Sequence, residues 1–274
     1  MSDVVVITGA GGMGVAVARR LGSGRQLLLA DASVARLDQV VAELRADGHT
    51  VTGQLTDVSD PESVGRLAAA AAQAAGGGRV AAIVHTAGVS AATSSVETIM
   101  KVDLAGTAYV IDAMEAVAGP GTSMVCVASM AGHYAQLSAE DERGLASTPS
   151  ADLLSLPVVT SAPDDATGAY IIAKRANQVR VQAAALAWNR RGARINTISP
   201  GVIATAMSRA EAESSSGHHM LAMLDACGAG RSGTPSEIAE AAAFLTGPSS
   251  LYVTGTDLLI DGGQAAWIRH HRTA

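Results

Sequence analysis

Val4-Val5-Val6-Ile7-Thr8-Gly9-Ala10-Gly11-Gly12-Met13-Gly14 is the stretch on which the fold turns. Its first five residues are an apolar, β-branched run suited to a buried strand, and Val15-Ala-Val-Ala-Arg-Arg-Leu21 after the glycines reads as a helix. Strand, glycine turn and helix in that order suit a dinucleotide. Glycines there permit a tight turn, a close backbone approach to pyrophosphate and close packing of helix on sheet, while the helix amino terminus attracts phosphate charge. A second apolar run, Gln26-Leu-Leu-Leu-Ala30, ends in Asp31, where a carboxylate bonds the ribose hydroxyls of NAD. No Arg or Lys stands immediately beside Asp31. NAD is therefore the expected cofactor, and NADP, whose additional phosphate wants a cation, is less favoured.

Outward from this start, apolar strands alternate with helical segments. Further strands are expected at Thr50 to Thr56, Val80 to Thr86, Met124 to Ser129, Arg194 to Ser199 and Asp257 to Asp261. Helices are expected at Val34 to Ala46, Glu62 to Ala75, Thr98 to Ala118, Ala166 to Arg190 and Ser236 to Leu245. The alternation predicts an α/β fold, a doubly wound, mostly parallel sheet of seven strands with helices on both faces. Right-handed crossovers place the carboxyl ends of the strands on one rim, and Gly9, Asp31, Asp57, Ala87, Gly88, Ser129 and Pro200 all fall there. With 274 residues, 48% of them hydrophobic, the chain reads as one domain spanning 1–274.

Charge and cysteine use narrow the class. A net charge of -6 offers no basic surface for nucleic acid. Two cysteines, Cys126 and Cys227, make no disulfide framework, and no apolar run is long enough to span a membrane. The first apolar run is a short strand carrying the glycine turn, which speaks against a signal peptide. The expectation is a cytoplasmic protein.

Chemistry is concentrated in Tyr170-Ile-Ile-Ala-Lys174 read with Ser129. On a helix, Tyr170 and Lys174 lie one turn apart on one face, so the ammonium approaches the phenol. A free tyrosine, with a pKa of about 10, is a poor base near neutrality, and a nearby cation is expected to lower that value. Tyr170 then becomes a general acid/base. Ser129 closes the run Met124-Val-Cys-Val-Ala, at the strand end where open α/β sheets place chemistry, and its hydroxyl suits a substrate oxygen. A Tyr-x-x-x-Lys match alone is weak, since it also describes a packed ring beside a solvated charge. Its coincidence with the glycine turn gives it weight.

These residues together resemble the short-chain dehydrogenase/reductase family. The marks are Thr8-Gly9-Ala-Gly11-Gly12-Met13-Gly14, Asp31, Asp57-Val58, Ala87-Gly88, Ser129, Tyr170-x-x-x-Lys174, Ser199-Pro200-Gly201-Val202-Ile203-Ala204-Thr205, and Thr254-Gly255 followed by Asp261-Gly262-Gly263. The resemblance implies that Tyr170 is the catalytic acid/base and that Ser129 positions the substrate oxygen. Lys174 would hold the nicotinamide ribose and tune Tyr170. It also implies nicotinamide contacts from Pro200, Gly201, Val202, Ile203 and Thr205, adenine contacts from Asp57 and Val58, and a homo-oligomer, dimer or tetramer. The cofactor itself carries the hydride.

Three departures qualify the resemblance. The glycine turn is one residue shorter than the usual family spacing. Asp103, in Lys101-Val-Asp-Leu-Ala-Gly106, stands where the family usually has Asn; its backbone carbonyl can still serve beside the lysine, but an ionised carboxylate would oppose the effect of Lys174 on Tyr170. Ser129 and Tyr170 are 41 positions apart, which implies an insertion at about 132–166, running from Tyr134 through Leu153-Leu-Ser-Leu-Pro157 to Pro163-Asp-Asp165. A similar insertion in bacterial hydroxysteroid dehydrogenases and carbonyl reductases puts an apolar, alicyclic or steroid-like substrate among the expectations. Met220-Leu-Ala-Met-Leu224 suggests a lid within about 206–230. His85 lacks spaced ligand partners and is expected to pack or hydrogen-bond rather than bind metal. The resulting expectation is an NAD(H)-dependent oxidoreductase interconverting a secondary alcohol and a ketone. The rivals are a non-catalytic dinucleotide sensor and a sugar-nucleotide epimerase.

Overall fold

The computed structural model describes residues 3–161, 165–213 and 217–271. Pro163 and Asp164 of the expected insertion, and positions 214–216 of the expected lid, lie outside the described residues.

Seven parallel strands form one sheet: β1 Val4–Thr8, β2 Gln26–Asp31, β3 Thr50–Leu55, β4 Val80–His85, β5 Ser123–Val127, β6 Arg194–Pro200 and β7 Asp257–Ile260. Their spatial order is β3-β2-β1-β4-β5-β6-β7. The central strands β1, β4 and β5 are buried along their whole length, as expected for a parallel sheet covered on both faces. The direction of winding reverses between β1 and β4, and a crevice opens outside the strand ends at such a switch point.

The helices are α1 Gly12–Leu21, α2 Val34–Ala46, α3 Pro61–Ala75, α4 Val96–Ile99, α5 Thr107–Val117, α6 Ala139–Ser147, α7 Pro157–Thr160, α8 Ala166–Arg190, α9 Ala206–Ala212, α10 Gly217–Ala226, α11 Pro235–Thr246 and α12 Gln264–His271. Local chemistry sets several starts. Ser33 accepts from the N–H of Arg36, Asp60 precedes Pro61 and accepts from Glu62, and Asp165 accepts from Thr167 and Gly168. One apolar cluster, including Val64, Leu67, Ile111 and Trp188, fills one face of the sheet, while a second, including Val17, Leu37, Leu44 and Ile238, fills the other.

Two segments differ from the sequence expectation. The helix expected over Thr98 to Ala118 is broken by a π-helical turn, Met100–Gly106, between α4 and α5. Such turns carry one extra residue per turn and often mark functional positions. Gly106 makes the close approach possible, because a Cβ there would lie 3.0 Å from the Val58 carbonyl oxygen. The insertion is also built, with α6, α7 and two 3-10 turns, Met130–Tyr134 and Ser150–Ser155. A capping box at Ser138 and Asp141 starts α6. Leu145 and Leu153 enter a third apolar cluster with Ile99, Leu104, Ala169, Ile172 and Ala173, so the insertion covers the outer faces of the helices that carry Asp103 and Tyr170.

Candidate active site

The crevice at the carboxyl rim has a volume of about 690 Å³ and is lined by Gly9, Gly11, Gly12, Met13, Gly14, Asp31, Asp57, Val58, Ala87, Gly88 and Thr205. The shortened glycine turn has distinct tasks. Gly9 has φ +90°, a region that favours glycine, and a Cβ on Gly14 would fall 1.8 Å from the Gly9 carbonyl oxygen. Gly11 has open space where its Cβ would be. It presents bare backbone to the crevice at the start of α1, the arrangement a pyrophosphate requires. The Asp31 carboxylate is oriented by two backbone donors, Ala10 N–H at 2.7 Å and Ser33 N–H at 2.8 Å. These residues fit a dinucleotide.

Two further observations concern this crevice. Pro200, Gly201, Val202 and Ile203 are absent from its lining. A Cβ on Gly201 would meet the Asp261 backbone at 2.8 Å, and the Val202 N–H donates to Gln264 Oε1 at 3.1 Å, so this turn is held against the end of β7, and Thr205 at its close lines the crevice. Arg36 lines the same crevice as Asp31. It is five residues further along the chain, on the first turn of α2, and inspection of the immediate neighbours of Asp31 does not reveal it.

Ser129, Tyr170, Lys174 and Asp103 meet beside the crevice. Lys174 Nζ lies 5.1 Å from the centroid of the Tyr170 ring and 3.5 Å from Asp103 Oδ1. The Ser129 hydroxyl lies close enough to Tyr170 to favour its phenolate, and accepts from the Ala131 N–H at 3.1 Å. Asp103 is fully buried, accepts from the Val89 N–H at 3.0 Å through Oδ1, and has no hydrogen-bond partner at Oδ2. Gly88 is confined between these groups, since a Cβ there would lie 2.7 Å from Asp103 Oδ1 and 3.3 Å from Lys174 Nζ.

The backbone carbonyl of Asp103 accepts the Thr107 hydroxyl at 2.8 Å. That hydroxyl's proton is therefore committed, and the 3.1 Å contact between His85 Nε2 and Thr107 Oγ1 requires the imidazole proton on Nε2. Nδ1 then accepts from the Thr8 hydroxyl at 2.6 Å. Burial, assisted by the charge of Lys174, holds the His85 pKa down at about 3, so the ring is neutral. His85 is a hydrogen-bonding bridge between β1 and the first residue of α5, whose hydroxyl in turn holds the π-helical turn.

Electrostatics reverse one expectation. The net shift of Tyr170 is upward: burial raises its pKa, Lys174 lowers it, Asp103 raises it, the Ser129 hydrogen bond lowers it and Glu211 raises it. The insertion contributes to the burial, because the Tyr170 ring packs on the third apolar cluster. Burial also works against the charge on Lys174, but Asp103 and Tyr170 outweigh it and raise that pKa, so the cation is retained. Burial pushes the Asp103 carboxyl up, opposed by Lys174 and the Val89 N–H. A negative charge on Asp103 disfavours the Tyr170 phenolate. Asp103→Asn is thus expected to lower the pH at which alcohol oxidation rises. An unchanged pH-rate profile, measured where chemistry limits the rate, would reject this role of the carboxylate.

The family assignment now has independent support. Residues 3–139 match the family model described as short chain dehydrogenase, and residues 154–265 match the model described as enoyl-(acyl carrier protein) reductase. A short-chain dehydrogenase/reductase, bsc3, from Alternaria brassicicola is 42% identical over 272 residues, covering 97% of this chain and 97% of the relative. Galactitol 2-dehydrogenase (L-tagatose-forming) from Cereibacter sphaeroides is 32% identical over 273 residues, covering 95% and 94%. The solved 3-alpha-hydroxysteroid dehydrogenase from Pseudomonas sp. B-0831, complexed with NADH, superposes with a TM-score of 0.79 over 99% of this chain and 100% of that one. At 24% identity that likeness is one of fold. The chain belongs to the short-chain dehydrogenase/reductase family and is an oxidoreductase of CH–OH groups.

Proposed function

We propose that the chain interconverts a secondary alcohol and a ketone with NAD(H), using Tyr170 as the acid/base. The observation that carries this reading is the convergence of the Lys174 ammonium and the Ser129 hydroxyl on Tyr170 beside a dinucleotide-shaped crevice. The nicotinamide, when bound, supplies the hydride chemistry. In the oxidation direction the Tyr170 phenolate takes the hydroxyl proton, and in reduction the phenol returns it. Ser129 holds the substrate oxygen. Lys174, kept charged by Asp103, favours the phenolate and in this reading also holds the nicotinamide ribose.

Val89, Met207 and Ala210 give the mouth of the crevice an apolar side, which supports an alicyclic substrate body. The whole chain acts as one domain in this reading, with residues 132–166 as a buttress of the catalytic helices and 206–230 as a lid. Exposed Leu186, Phe244, Leu251 and Tyr252 support a homo-oligomer. Free, buried Cys126 and Cys227 fit a reducing, cytoplasmic setting.

The preference for NAD rests on Asp31, whose carboxylate suits ribose hydroxyls and repels a 2′-phosphate. Arg36 in the same crevice favours the opposite choice. The carboxylate is expected to prevail because two backbone donors fix it in place. Fluorescence titration, with turnover of an alcohol and ketone panel in parallel, should show tighter binding of NADH than of NADPH. Asp31→Ala should narrow the difference and Arg36→Ala should widen it. Tighter NADPH binding by the unmodified protein would reject the assignment.

A further inference from the structure

Gln178 lies one turn beyond Lys174 on α8 and is buried, where a leucine would pack without needing polar partners. Its amide is fully engaged. Oε1 accepts from Arg175 Nη1 at 3.1 Å, and because a guanidinium only donates, this contact fixes which end of the amide is oxygen. Nε2 then has two protons, and it donates to the Ser129 carbonyl at 3.3 Å and to the Ser199 hydroxyl at 2.9 Å. Arg175 is oriented in turn by Glu142 of α6, whose Oε1 accepts from Nε at 2.7 Å, so the insertion reaches the amide through one guanidinium. On the far side, Ser199 donates to Asp257 Oδ1 at 2.7 Å, and Asp257 Oδ2 pairs with His133 Nε2 at 2.8 Å. His133 belongs to the 3-10 turn Met130–Tyr134 that Ser129 caps. That turn is therefore held at Ser129 by the amide and at His133 by Asp257, and the two holds meet at Ser199. Gly132 closes the fit, since a Cβ there would lie 2.8 Å from Gln178 Nε2.

We propose that Gln178 is a positioning residue for Ser129, tying the end of β5 to α8 so that the serine hydroxyl and the Tyr170 phenol meet one substrate oxygen. The inference rests on the reading in which Ser129 and Tyr170 receive that oxygen. Tyr170 and Gln178 share one long helix, so a bond from Gln178 to Ser129 sets the distance between the two reacting side chains directly. A buried amide is tolerated only when its polar atoms are paired, and here both donors are spent on Ser129 and on the neighbouring strand β6. Gln178 is absent from the crevice lining and acts through the serine alone. Without its donors the Ser129 carbonyl still accepts the Gly132 N–H at 3.1 Å, so the turn survives while its tether to α8 is lost.

The test is a double-mutant cycle. Gln178→Leu and Gln178→Glu are each made in the unmodified enzyme and in Ser129→Ala, the second substitution keeping the side-chain length in case leucine impairs folding. Thermal scans and NADH titration accompany kcat and KM, measured with NADH and whichever of cyclohexanone, 2-hydroxycyclohexanone and 2-decalone the unmodified enzyme reduces fastest. Misplacing a reacting group by about 1 Å costs on the order of a hundredfold, so kcat should fall roughly tenfold to a hundredfold in both Gln178 variants. NADH affinity should stay unchanged, a split that a merely structural role would not produce. In the Ser129→Ala background the same substitutions should cost almost nothing further, because the residue they misplace has lost its hydroxyl. Equal losses in both backgrounds, or parallel losses of kcat and NADH affinity, would make Gln178 a packing residue and overturn the inference. Normal kcat in the folded Gln178 variants would overturn it as well. Normal turnover by Ser129→Ala would instead reject the reading of Ser129 itself, and absence of turnover of every ketone that of Tyr170, each taking the inference with it.

Discussion

Tyr170→Phe is expected to bind NADH nearly as the unmodified protein does and to lose about 10²–10⁴-fold of its turnover, the range that positioned acid/base catalysis supplies. The ring packs on the apolar cluster formed with the insertion, and phenylalanine keeps that packing. What is lost is the oxygen that faces Ser129 and moves the proton. The pH dependence should change with it. Because burial raises the Tyr170 pKa, the phenol persists through neutrality, so ketone reduction holds there and declines as pH rises through the raised value. Alcohol oxidation needs the phenolate and should rise with pH over the same interval. Ser129→Ala should impair turnover, whereas Lys174→Ala should damage cofactor binding and turnover together. A folded Tyr170→Phe enzyme with normal turnover, measured where chemistry limits the rate, would contradict the assignment.

The second large effect is expected at the glycine turn, where two neighbouring glycines should fail differently. In Gly14→Ala the new methyl would lie 1.8 Å from the Gly9 carbonyl oxygen, so α1 must move away from β1. Overpacking of this kind costs about 1–3 kcal/mol or more, which outweighs the gain of about 1 kcal/mol from replacing a helical glycine by alanine. A fall in Tm of roughly 2–4 °C per kcal/mol should accompany loss of dinucleotide binding. Gly11→Ala meets nothing within 4 Å and has an ordinary φ of -81°, so the fold should hold. Its methyl would project into the crevice instead, and NADH affinity should fall on the order of tenfold, or about 1.4 kcal/mol. Thermal scans and NADH titration separate the two, and a stable Gly14→Ala protein that binds NADH normally would refute the packing argument.

Much of the fold is legible in the sequence because its signals are local. The bounds of α2 and α8 follow from apolar spacing and from Ser33 and Asp165 as caps, and the apolar runs locate all seven strands. The same kind of signal, Ser138 followed by Asp141, marks α6 within the insertion and would have identified that helix. The π-helical turn is less accessible. Periodicity sees a continuous helix over Thr98 to Ala118, and what opens it is the contact of Gly106 with Val58 from another part of the chain. The clustering of Ser129, Tyr170 and Lys174 was readable from spacing and a strand end, and the place of Asp103 only from the family resemblance, but the direction of the Tyr170 shift was not. That direction is a sum over burial, two carboxylates, a cation and a hydroxyl, and only the cation lies within one helical turn in sequence. Arg36 and Glu211 escaped for the same reason, since each reaches the site through space from a helix that looks ordinary on its own.

The most direct test of the account follows a label through the reaction. The enzyme is given NADH carrying deuterium at the transferable position of the nicotinamide, together with a panel of cyclic ketones and hydroxyketones, and the alcohols formed are analysed by mass spectrometry and NMR. The account predicts deuterium at the carbinol carbon and stoichiometric oxidation of the dinucleotide, both suppressed in Tyr170→Phe. Product without the label, or a redox-neutral conversion in which hydrogen is retained within the substrate, would contradict alcohol/ketone oxidoreduction as the function of this site.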